Sequence, residues 1–212
     1  MRIKWFGHSC FEIHGTDGVT IVTDPFDSSV GYRLPDTRAD IVTVSHDHFD
    51  HNYIHAVKGD FKVINKVGNF QVKDINIKGI ASFHDNVNGE KRGSNIIYVF
   101  DIDGMNVCHL GDLGHILDAR QLNSIGKIDV LFIPVGGNFT IDAKTAVKVV
   151  SQLNPAIVIP MHYKTPMVQM PIDTADKFIE MMGNAEKSDK RTIEIKKDDL
   201  KGSKKVYILR YE

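Results

Sequence analysis

Apolar residues along this chain gather in short runs broken by Gly, Asp and Asn, a texture of strands and tight turns rather than of long helices. In the first half, Arg2 to Phe6, Cys10 to His14, Thr20 to Asp24, Ile41 to Ser45, Phe61 to Asn65, Ile75 to Phe83 and Asn95 to Asp101 read as strands. Gly15-Thr-Asp-Gly18 and Asp101-Ile-Asp-Gly104 lie between such runs and supply residues that tolerate a left-handed backbone, so both predict hairpins. After about residue 115 the texture changes, with Val130 to Pro134 and Ile157 to Pro160 as buried strands on either side of a helix over Asp142 to Leu153. Thr140 or Asp142 would cap that helix, and Asn154-Pro155 would end it, because the residue before a proline avoids the helical region. A second helix is expected over Thr174 to Met182. The mixed-sign stretch Glu186 to Lys205 reads as a solvated helix or hairpin face before a terminal strand, Val206 to Leu209. A β-rich half followed by a βα-rich half is compatible with two sheets packed face to face, although periodicity alone does not choose that architecture.

Composition narrows the function classes. With 212 residues, 42% of them hydrophobic, the chain can bury one large core or two small ones, and a single domain over residues 1–212 is the simpler reading. Lys plus Arg number 26 against 27 Asp plus Glu, so a net charge of -1 offers no global attraction for nucleic acid or an anionic membrane. No long apolar stretch follows the opening Met-Arg-Ile-Lys-Trp, which supports neither a signal peptide nor a membrane span and leads to the expectation of a cytoplasmic protein. Cys10 and Cys108 are far apart and each lies in an apolar run, which fits reduced, buried thiols better than a disulfide framework.

The candidate chemistry sits at Ser45-His-Asp-His-Phe-Asp-His51, directly after the apolar run Asp40 to Ser45. His46, His48, Asp50 and His51 place three imidazoles and a carboxylate in one short loop. Neutral imidazole suits zinc, iron and manganese, and carboxylate suits the harder of these ions, so the pattern points to metal. A lone pair of histidines would be read as a surface turn; three with an Asp at this spacing are not.

The chain resembles the metallo-β-lactamase superfamily end to end. The resemblance is carried by the His-x-His-x-Asp-His loop, by His84 after Ile-Ala-Ser-Phe, by Asp112 in His-Leu-Gly-Asp, by His162 in Ile-Pro-Met-His-Tyr, and by Asp24 in Thr-Asp-Pro-Phe. Gly7-His-Ser-Cys-Phe11, Pro134-Val-Gly-Gly137 and Met161-His-Tyr163 are similar to the branch of small metal-dependent hydrolases that includes ascorbate-6-phosphate lactonase. The resemblance implies a four-layer αβ/βα sandwich with two mixed sheets covered by helices. It implies two divalent metal ions per chain, zinc or manganese foremost and iron compatible. One ion would be held by His46, His48 and His84, and the other by Asp50, His51 and His162, with Asp112 bridging and Asp24 in support. Paired cations of this kind activate a bridging hydroxide as the nucleophile and stabilise the oxyanion, so Asp50 and Asp112 are the catalytic carboxylates.

His84 and His109 compete for the first site, and His84 is preferred because it stands at a strand exit before a polar loop. His109 then orients a ligand or fills the core. His8, His115 and Tyr163 are candidate cleft residues, while Arg33, Arg92 and Lys164 are candidate anion binders. Gly136, Gly137 and Asn138, ahead of the helix near Asp142, could cradle an anion with backbone N–H groups. His14 and His55 read as surface residues. The reading is therefore a hydrolase of a small, anionic metabolite with a lactone, phosphoester or amide bond, and a homo-oligomer is compatible with it. The alternatives are a nuclease of the same superfamily, which the absence of basic excess disfavours, and a non-hydrolytic di-iron or metal-sensing protein.

Overall fold

The computed structural model describes residues 1–33 and 36–211, so the loop Pro25 to Arg38 is covered except at positions 34 and 35. Two mixed sheets dominate. The six-stranded sheet runs in spatial order Thr192–Glu194, Arg2–Gly7, Cys10–His14, Thr20–Thr23, Ile41–Thr43 and Lys62–Ile64. The eight-stranded sheet runs Ala185–Lys187, Lys205–Ile208, Ile157–Met161, Val130–Pro134, Met105–His109, Ser94–Ile102, Ile75–Phe83 and Gly68–Val72. Each sheet has an antiparallel part that includes one predicted hairpin and a parallel part, and in the larger sheet the parallel strands Val130–Pro134 and Ile157–Met161 are buried throughout.

The sheets pack face to face around one core. Phe11 of the first sheet stacks on Phe132 of the second with ring centroids 4.1 Å apart. The buried Tyr98 hydroxyl crosses the interface to donate to the carbonyls of Val44 and Ile64, each at 2.9 Å. A smaller apolar cluster, including Phe26, Tyr32, Val42 and Ile172, lies on the outer face of the six-stranded sheet.

The helix Ala143–Leu153 buries Ala146, Val149, Val150 and Leu153 in the main core. Asp142 is its N-cap, accepting from the Thr145 N–H at 2.8 Å, and Asn154 ends it in the left-handed conformation. The expected second helix begins two residues later than read, at Asp176, and runs to Met182. A helix the pattern did not announce, Ala119–Ile125, is closed by a capping box between Asp118 and Gln121. After the histidine loop, Asn52 to Val57, whose pattern is helix-like, carries only a single 3₁₀ turn, Ile54–Ala56.

Glu186 to Lys205 is neither one helix nor one hairpin. Ala185–Lys187 pairs with Lys205–Ile208 in the larger sheet, and Thr192–Glu194 pairs with Arg2–Lys4 in the smaller one, so the segment closes both sheets. No helix of the described residues is long and apolar enough to cross a membrane.

Candidate metal centre

The site is built at strand ends. Arg2–Gly7 delivers His8, Thr20–Thr23 delivers Asp24, Ile75–Phe83 delivers His84 and Ile157–Met161 delivers His162, each directly after its last strand residue. His46 and Asp112 follow the strands Ile41–Thr43 and Met105–His109 by three residues. Both sheets thus contribute to one end of the sandwich, where loops are free to turn inward.

The turns are tight. His8, Asp24 and His162 adopt φ of 51°, 40° and 49°, a left-handed backbone that non-glycine residues hold only when the surroundings enforce it. Two of these turns are tied together, since the His8 carbonyl accepts from the Trp5 indole at 3.0 Å and from the His162 N–H at 3.2 Å.

Asp112 occupies the centre. Its Oδ2 lies 3.1 Å from His162 Nε2, 3.2 Å from His84 Nε2, 3.3 Å from His51 Nε2 and 3.9 Å from His46 Nε2. Around it the donors fall into two main groups: His46, His48 and His84, and His8, Asp50, His51 and His162. All of these except His48 are buried. Burial would raise the Asp112 carboxyl, but His162 and His51 outweigh it and hold the group well below the usual carboxylate range. Burial likewise opposes charge on His51, and the carboxylates of Asp112, Asp50 and Asp24 overcome it, raising the ring well above its ordinary value. His46 is instead pushed down to about 3 by burial and by His51.

Hydrogen bonds behind the cluster fix which nitrogen faces inward. Asp24, fully buried, accepts from His51 Nδ1 at 2.9 Å and from the Ser45 hydroxyl at 2.6 Å. With its proton committed to Asp24, Ser45 Oγ accepts from His46 Nδ1 at 2.9 Å. One carboxylate therefore directs Nε2 of both His46 and His51 into the centre. Asn95 holds the turn at Asp112, accepting from the Asp112 N–H at 2.9 Å and donating to the Leu110 carbonyl at 2.9 Å. Gly111 permits the approach: with φ of 55°, a Cβ there would stand 2.3 Å from Asn95 Oδ1 and 2.6 Å from Ser45 Cβ.

The structure brings together every residue of the expected ligand set. His109 lies elsewhere: its Nε2 donates to the Ser9 carbonyl at 2.8 Å and its Nδ1 accepts from the Gly111 N–H at 3.1 Å, leaving no nitrogen free. His8, expected only near the cleft, enters the second group directly, with Nε2 3.1 Å from Asp50 Oδ2 and 3.2 Å from His51 Nε2.

Several candidate substrate residues are engaged otherwise. The Gly136 N–H donates to the His162 carbonyl, the Gly137 N–H to the Ile141 carbonyl, and Asn138 Nδ2 to the Pro171 carbonyl, so these groups bind the chain itself rather than an anion. Tyr163 is buried against Trp5 at 5.3 Å between ring centroids, and the His115 ring is taken up by the Ile116 carbonyl and the Phe83 N–H. Arg33 is exposed and outside the cavity lining, and Lys164 Nζ donates to the Met170 carbonyl at 2.9 Å. The cavity of about 440 Å³ over the centre is lined by Asp47, His48, Phe49, Asp50, His84, Arg92, Asp112, Phe139, His162 and Met170. Of the proposed anion binders, Arg92 alone reaches it. Ser45, Asn95 and the apolar wall of Phe49, Phe139 and Met170 escaped the sequence reading; only Ser45, next to His46, offered a local cue.

A two-sheet sandwich with convergent His and Asp side chains at one end of its strands is an arrangement suited to holding metal. Residues 2–162 match the β-lactamase superfamily domain. A metal-dependent hydrolase of Nanoarchaeum equitans is 33% identical, over 94% of this chain and 98% of its own. One from Thermoplasma volcanium is 30% identical, over 78% and 84%. A solved structure from Thermotoga maritima, described as a Zn-dependent hydrolase of the metallo-β-lactamase superfamily, is 42% identical over 98% of both chains with a TM-score of 0.84. The chain belongs to the metallo-β-lactamase superfamily and is a metal-dependent hydrolase within it.

Proposed function

We propose that this hydrolase acts on a small anionic metabolite at a centre of two divalent cations, zinc or manganese. His46, His48 and His84 would hold one, and Asp50, His51 and His162 the other. The carrying observation is Asp112 Oδ2, set within 3.1–3.9 Å of ring nitrogens from both groups, where a shared carboxylate belongs. The donor set fits the ions. His46 Nε2 and Asp112 Oδ1 are buried and lack a hydrogen-bond partner among the described residues, an arrangement that is costly unless a ligand completes it. Mixed imidazole and carboxylate donors suit zinc, manganese and iron.

When bound, such cations supply an activated water and stabilise charge developing on the attacked carbonyl or phosphoryl group. The chain itself does the positioning. Asp24 and Ser45 hold two imidazoles in one tautomer, Asn95 and Gly111 set the bridging carboxylate, and Asp50 and Asp112 open onto the cavity. No serine or cysteine nucleophile is needed: Cys10 and Cys108 are buried, and their free thiols support a reducing, cytoplasmic location.

The test is elemental analysis of protein purified without chelator or metal-binding tag. About two equivalents per chain in the wild type, falling sharply in Asp112→Ala, supports the proposal. Full activity and full metal content in Asp112→Ala would refute the bridging role.

A further inference from the structure

The loop between His84 and Ser94 carries the cavity's cation, and one buried side chain holds it in shape. Asp85 Oδ1 accepts from the N–H groups of Val87 and Gly89 at 2.9 and 2.8 Å. Its Oδ2 accepts from those of Lys91 and Arg92 at 2.9 and 2.8 Å. Asn88, Gly89 and Gly93 take positive φ, which curls the segment around the carboxylate, and the Gly93 carbonyl returns to accept from the His84 N–H at 3.1 Å. Arg92, the last residue whose N–H Asp85 holds, projects its guanidinium over the Phe139 ring, with Cζ 5.5 Å from the centroid. A cation–π contact of this kind holds the guanidinium near the ring and leaves its N–H donors available. Among the described residues the Arg92 side chain makes no ion pair or hydrogen bond, and it is the one Lys or Arg lining the cavity.

Three apolar side chains share the lining with the His and Asp cluster. Phe49 is 61% exposed at the mouth, and Phe139 and Met170 are half-buried beside it. A single fixed guanidinium, carboxylates of Asp47 and Asp50 nearby and an apolar wall suit a substrate of low charge rather than a polyanion.

Resting on the metal-centre reading above, we infer that Arg92 is the specificity-determining residue for a substrate bearing one carboxylate on an aromatic or branched apolar body. Asp85 is its positioning residue. The reactive bond faces the His and Asp cluster, the apolar body lies against Phe49, Phe139 and Met170, and the carboxylate meets Arg92.

The experiment is calorimetric titration of the metal-loaded protein with benzohydroxamate and with 4-carboxybenzohydroxamate, whose shared hydroxamate anchors to the cations. The wild type should bind the carboxylated form about tenfold to a hundredfold tighter, the scale of one charge-assisted hydrogen-bonded pair. In Arg92→Gln that preference should vanish while benzohydroxamate affinity stays. Asp85→Asn should lose most of the preference with metal content unchanged. Equal affinities in the wild type, or a preference that survives Arg92→Gln, would overturn the inference while leaving the metal centre intact. A preference unaltered in Asp85→Asn would overturn the positioning role. Failure of the metal-loaded wild type to bind either compound would overturn the metal-centre reading, and this inference with it.

Discussion

Asp24 accepts the Nδ1 proton of His51 at 2.9 Å from a left-handed backbone turn, with both side chains fully buried. The same carboxylate reaches His46 through Ser45, so a residue outside the cavity lining orients donors of both groups.

Removing that support should weaken metal binding more than folding. Asp24→Asn is expected to lower metal affinity on the order of tenfold to a hundredfold, and Ser45→Ala to weaken the first site more than the second. Competition titration with a chromophoric chelator measures both. Unchanged affinities would show that the imidazoles need no such orientation.

Gly111→Ala tests the close approach of the bridging loop. The added methyl would press on Asn95 and Ser45 in a backbone conformation that alanine disfavours, so a loss of about 1–3 kcal/mol in stability is expected. Urea unfolding reads the stability, and metal content should fall too because Asp112 is displaced. A variant as stable and as metal-rich as the wild type would argue against the tight fit.

His84 and His109 should separate cleanly. His84→Ala is expected to lose metal and keep its fold, since His84 Nδ1 lacks a hydrogen-bond partner among the described residues. His109→Ala leaves the Ser9 carbonyl and the Gly111 N–H without their buried partner, and should cost about 1–3 kcal/mol of stability while metal is largely retained. Loss of metal in His109→Ala alone would reverse the assignment.

Metal-free protein should lose stability as pH falls from 6.5 towards 4. Burial lowers His8 to about 4 and His46 to about 3, so below 6.5 the unfolded chain binds protons that the folded chain refuses. Each contributes a loss on the order of 2 kcal/mol by pH 5. His51 opposes them: its raised value adds stability below 6.5 that is lost as pH rises through the folded value, and it offsets part of the loss. Denaturant unfolding at pH 7 and pH 5 checks the sign, and greater stability at pH 5 would contradict it.

Much of this architecture is legible in the chain because local signals agree with tertiary demands. Ile75–Phe83 alternates over its first four residues, Val130–Pro134 is apolar throughout, and Asp142 with Asn154 brackets a helix, so each is found at or near its observed bounds. Ala119–Ile125 is short and owes its existence to a capping box, and Ala185–Lys187 with Thr192–Glu194 are charged edge pieces that exist only because a sheet edge receives them. The clustering of the His and Asp residues is equally legible, since each sits next to a strand or in a dense motif. Asn95 and the wall of Phe49, Phe139 and Met170 are not, because ordinary residue types acquire their roles only when segments far apart in sequence converge, and Asp85 acts through backbone N–H groups of its own loop that residue types do not mark. The glycine pair before the helix could be read either as an anion cradle or as a packing turn, and the fold takes the second course, committing both amides to His162 and Ile141.

Anomalous diffraction from crystals of the metal-loaded protein, recorded on either side of the zinc and manganese absorption edges, is the most direct test. Two peaks flanking Asp112 are predicted, one among His46, His48 and His84 and the other among Asp50, His51 and His162. A single peak, or peaks that leave Asp112 uncoordinated, would contradict the account.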